Sequence, residues 1–153
     1  MKGVIKGELE IEGNLILTGD LTVEKWINVS GYIDCAGHSI KAGGYIKAGG
    51  YIESGDSIEA GGSIEAGGSI EAGGSILAKL CVKAKGTISA GIYVYAGLVT
   101  RRKRDAEDMV IECEKLLSGE VAFGTLREVE VVIEEMTVEQ ICKALGKNVK
   151  IIK

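Results

Sequence analysis

From Ser39 to Ala96 a branched aliphatic residue recurs every six positions, and a small residue follows it two positions later. The branched series is Ile40, Ile46, Ile52, Ile58, Ile64, Ile70, Ile76, Val82, Ile88 and Val94. Its small companions run from Ala42 through Ser54 to Ala96. Residues two apart in a strand share a face, so each hexad sends one large and one small side chain inward. The residue between them and the one before the branched residue face solvent. Gly-Gly pairs, as at 61–62 and 67–68, fall between the strands, where a sharp turn with positive φ costs glycine little. Short strands and glycine corners at a fixed period predict a parallel β-solenoid.

The frame extends upstream. Leu9, Leu15, Leu21, Ile27 and Ile33 take the large slot, and Ile11, Leu17, Val23, Val29 and Cys35 the second. One extra residue around Gly37-His38-Ser39 separates the two halves and reads as a bulge at a corner. Three hexads per coil predict a three-sided column of five coils, about 24 Å tall at the ordinary strand spacing.

The pattern ends at Tyr95-Ala96-Gly97-Leu98. Residues 1–97 are therefore assigned to the solenoid and 98–153 to a β-rich C-terminal cap. The cap's apolar-polar alternation marks runs over 109–117, 120–126 and 128–134, with turns expected at Ser118-Gly119 and Phe123-Gly124. Thr137 and Gln140 form a capping box, and Val138, Ile141, Cys142 and Leu145 make one apolar stripe. This predicts a short helix over about 138–145, then a last strand. Repeat arrays need caps over their open ends. The N-terminus offers none, so a homodimer through that end is expected.

Composition narrows the function classes. Acids outnumber bases 22 to 18, for a formal charge of -4, which argues against direct nucleic-acid binding by the whole surface. No apolar run of about 18 residues predicts a membrane span, and the first residues lack the apolar core of a signal peptide. Cys35, Cys81, Cys113 and Cys142 show no C-x-x-C spacing and read as reduced thiols of a cytoplasmic protein.

With three hexads per coil, outward residues form columns. Asp34, Glu53 and Glu71 stack consecutively with no intervening base. Directly stacked like charges are mildly destabilising, so the column is either an interaction face or a solvated face that keeps a β-rich chain soluble. Trp26 is expected over Tyr45, and Tyr32 over Tyr51; these are interface anchors or ladder packing. Arg101-Arg102-Lys103-Arg104, the one basic cluster, is a candidate contact for phosphate or an acidic protein, or a solvated turn neutralised by Asp105, Glu107 and Asp108.

Catalytic signals are missing. His38, the single histidine, sits at the insertion without an evident neighbouring acid or long loop. No phosphate loop, dinucleotide fingerprint or metal-ligand spacing occurs, so no catalytic residue, cofactor or metal is expected. The glycines are explained by the corners.

The hexapeptide acyltransferases place their small residue two positions before the aliphatic one; here it follows. The stretch Gly13-Asn14-Leu15-Ile16-Leu17-Thr18-Gly19-Asp20-Leu21-Thr22-Val23 instead resembles the right-handed, three-sided solenoid of bactofilins, bacterial polymer-forming proteins. The Ile-x-Ala-Gly-Gly repeat, the Tyr95-Ala96-Gly97-Leu98 exit, Gly119 to Leu126 and Thr137 to Lys153 together resemble small solenoid proteins of phages and mobile elements. That resemblance implies a non-enzymatic accessory protein with a protein partner in the bacterial cytoplasm. Inhibition of a host nuclease or defence complex, of the anti-CRISPR or DNA-mimic kind, is the expected role. A self-assembling scaffold in the bactofilin manner is the alternative.

Overall fold

The computed structural model describes residues 3–98 and 105–130. Among the described residues eighteen strands run in chain order: β1 Gly3–Ile5, β2 Leu9–Ile11, β3 Leu15–Ile16, β4 Leu21–Val23, β5 Ile27–Val29 and β6 Ile33–Cys35. The repeat supplies β7 Ile40–Ala42, β8 Ile46–Ala48, β9 Ile52–Ser54, β10 Ile58–Ala60, β11 Ile64–Ala66, β12 Ile70–Ala72, β13 Ile76–Ala78 and β14 Val82–Ala84. They are followed by β15 Ile88–Tyr95, β16 Val110–Cys113, β17 Leu116–Phe123 and β18 Thr125–Glu128. Among the described residues every pairing is parallel, and each strand from β10 to β14 lies on the one 18 residues earlier, as Ile76 does on Ile58. The chain is a three-sided β-solenoid.

The first face stacks β1, β4, β7, β10 and β13, then the end of β15. The second stacks β2, β5, β8, β11, β14, β16 and β18. The third stacks β3, β6, β9 and β12, then the start of β15. The hexads supply five layers of the second face, β2, β5, β8, β11 and β14, as expected, and β16 and β18 of the C-terminal segment extend the stack to seven. A strand at Gly3–Ile5 opens the stack, and the C-terminal runs add to it at the other end.

Inside, the two-slot pattern holds. The large-slot isoleucines from Ile27 to Ile88 are 0% exposed, and the alanines of the small slot are buried beside them. Burying each isoleucine contributes about 1.5–3 kcal/mol, which makes this file of side chains the main stabilising element. Leu9, Ile11, Leu15 and Leu17 of the first coil pack on the core but are only partly buried.

The corners need glycine for a different reason than expected. Gly43, Gly49, Gly61, Gly67 and Gly73 have no positive φ. A Cβ on any of them would meet a backbone carbonyl of the coil below closer than 3.0 Å. Tight coil-on-coil stacking, not backbone conformation, excludes a side chain there.

The insertion lengthens one coil by a residue, so Leu21 pairs with Ile40 and Ile33 with Ile52, each 19 positions on. Gly37 takes a φ of 79°, and the His38 N–H donates to the Cys35 carbonyl at 3.1 Å. The His38 carbonyl turns inward and accepts from Ser54 Oγ at 2.6 Å. Ser54, 2% exposed, breaks the alanine series where that carbonyl accepts a hydrogen bond.

Beyond Leu98 the strands differ from their expected shapes. Ser118-Gly119 lies inside β17 as a bulge rather than a turn, with Gly119 at φ 92°. Gly91 lies inside β15 at the corner between two faces, where a Cβ would meet the Gly73 carbonyl. A 3-10 turn over Ala106–Met109, closed by a capping box between Asp105 and Asp108, leads into β16. The capping box at Thr137, the helix over 138–145, Cys142 and the last strand lie outside the described residues.

Candidate functional site

Strand register fixes the outward columns. β6, β9 and β12 pair Asp34 with Glu53 and Glu53 with Glu71, so the three acids occupy successive layers of the third face. Ile16 precedes them and Ser89 follows, so no base enters the column. Glu53 and Glu71 are exposed, while Asp34 is half-buried and accepts from the Ala36 N–H at 3.1 Å. The other columns differ. On the second face Glu10, Asn28, Lys47, Glu65, Lys83 and Glu112 succeed one another, largely with alternating sign. On the first, Lys41 pairs with Glu59 at 2.6 Å.

Tyr32 and Tyr51 stand at the corner leading into the acidic face. Their rings stack 4.6 Å apart and 7° from parallel. The Tyr51 phenol is pushed above its ordinary range, first by desolvation, then by Tyr32 and by the carboxylates of Asp34 and Glu53. Tyrosines and acids therefore share one electrostatic neighbourhood. Trp26 and Tyr45 also stack, at 5.5 Å and 6°, but they precede β5 and β8 at the far edge of the second face. The structure thus gathers Asp34, Glu53, Glu71, Tyr32 and Tyr51 and leaves Trp26 and Tyr45 apart. The run Arg101, Arg102, Lys103 and Arg104 lies outside the described residues.

One polar cluster escapes the sequence reading. His38 Nδ1 is 3.7 Å from Asp20 Oδ1, so the histidine does have a neighbouring acid. The Ser39 N–H donates to Asp20 Oδ1 at 3.2 Å, and Ser39 Oγ donates to Asp56 Oδ2 at 2.9 Å. Both aspartates hold the insertion corner to the coils on either side. Their spacing of about one coil from Ser39 was the available signal. Among the described residues no cluster of His, Cys, Asp and Glu is arranged to hold a metal ion.

Cys35 and Cys113 are buried, and burial, ahead of nearby carboxylates, raises both thiols above the ordinary range. Cys81 is half-buried at a corner, with Sγ 3.3 Å from Ser63 Oγ. Among the described residues no helix is long and apolar enough to cross a membrane.

No family model, curated protein or solved structure matches the chain.

Proposed function

We propose that the protein is a non-enzymatic binding module that presents the third face of its solenoid to a basic macromolecular partner. The observation that carries this reading is the register-fixed column Asp34–Glu53–Glu71 beside the Tyr32–Tyr51 stack. Three like charges held one strand spacing apart cost stability, and the other two faces avoid such runs. A rigid acidic track with aromatic anchors suits a surface that ordinarily grips a nucleic-acid backbone. The role that follows is inhibition of a nuclease or defence complex in the cytoplasm of a bacterial host, by a phage or mobile-element protein.

The test compares wild-type protein with the Asp34→Asn/Glu53→Gln/Glu71→Gln variant as bait in host lysate. Retention of a specific partner should fall about tenfold or more, because electrostatic complementarity governs both encounter and register. Equal retention by a folded variant overturns the reading.

A second reading, a self-assembling scaffold, draws on the first coil. Among the described residues β1, β2 and β3 each pair on one side only, and Val4 and Ile16 are 55% and 63% exposed. Unpaired strand edges with apolar neighbours favour strand addition by another copy. Growth of mass with concentration tests it.

A further inference from the structure

The aromatic column of the third face stops abruptly. Tyr32 covers one face of the Tyr51 ring, but the next residue in the column is Ser69. Ser69 Oγ accepts from the Thr87 N–H and from Thr87 Oγ1, both at 3.1 Å, so its hydroxyl is engaged by the layer beyond. Tyr51 remains 37% exposed. The result is a step one strand spacing deep, roofed by an aromatic face and floored by a small hydroxyl. Glu53 and Glu71, the exposed acids of the two layers that form the step, stand beside it.

We propose that this step receives an arginine side chain of a protein partner, an assignment that rests on the acidic-face reading above. A guanidinium is planar, so it can continue the aromatic stack and still donate to carboxylates in its own plane. Its charge is attracted by both the ring face and the two acids. A lysine ammonium satisfies the acids but cannot extend the stack. The Tyr45 column ends in a similar way over Ser63, whose Oγ contacts Cys81 Sγ. There the neighbouring outward residues are Lys47 and Glu65, whose charges cancel, so that step does not select a cation.

The experiment titrates the full chain with hexa-arginine and hexa-lysine peptides by calorimetry. Hexa-arginine should bind about two- to fivefold more tightly, the fold-change of one exposed cation–π contact. Ser69→Leu, which fills the step and leaves Tyr51 and every carboxylate in place, should abolish that preference without weakening hexa-lysine. Tyr51→Leu should do the same, and Tyr45→Leu should leave the preference intact. A preference that survives in Ser69→Leu overturns the arginine step while leaving the acidic-face reading standing. Failure of the wild-type protein to bind either peptide overturns both.

Discussion

Ser54 shows how a single residue answers a local demand. The extra residue at 37–39 points the His38 carbonyl toward the buried Ser54, whose Oγ supplies the hydrogen bond. Ser54→Ala would match the rest of the small-residue file yet strand that carbonyl. We expect a loss of about 1–3 kcal/mol, measured by urea unfolding. The buried thiols make a second prediction. With folded-state pKa values raised above the unfolded ones, Cys35 and Cys113 hold their protons longer in the folded chain. Their contribution is complete below the unfolded thiol pKa of about 8.5 and falls as pH rises through the folded values. Stability measured from pH 7 to 10 should decline above that point, and the decline should be shallower in Cys35→Ala/Cys113→Ala. An identical slope would contradict the assignment.

Among the elements, the corners are the most exacting. The Gly67 Cβ position is occupied by the Gly49 carbonyl of the coil below, whereas Gly19 has nothing within 4 Å and no positive φ. Gly67→Ala should therefore cost about 1–3 kcal/mol through overpacking. Gly19→Ala, with open space where its Cβ would sit, should stay within about 0.5 kcal/mol. Thermal or chemical unfolding of the pair separates crowding from backbone conformation as the reason for glycine. The hexad was legible in the sequence because a six-residue period with Ile and Ala two apart admits few other folds. The columns followed, since coil length alone sets which outward residues meet. Ser118-Gly119 misled because glycine inside a strand resembles a turn; it proves to lie within a long strand. The Ser54–His38 bond was hidden, because it depends on where one carbonyl points.

At the scale of the whole molecule, rigidity and charge placement act together. Isoleucine layers and continuous parallel ladders hold the acids of the third face at fixed spacing, so the face needs little reorganisation to meet a partner. The column is also a stability cost in the free protein. Glu53→Gln should raise the urea midpoint slightly while weakening partner binding, opposite signs that a merely solubilising charge would not give.

The central claim is that the solenoid acts through a side face and not by growing from its ends. Light scattering over a wide concentration series tests this most directly. The account predicts one constant mass, 16.1 kDa or a fixed small multiple of it. A mass that climbs steadily with concentration would contradict it and establish a polymerising scaffold.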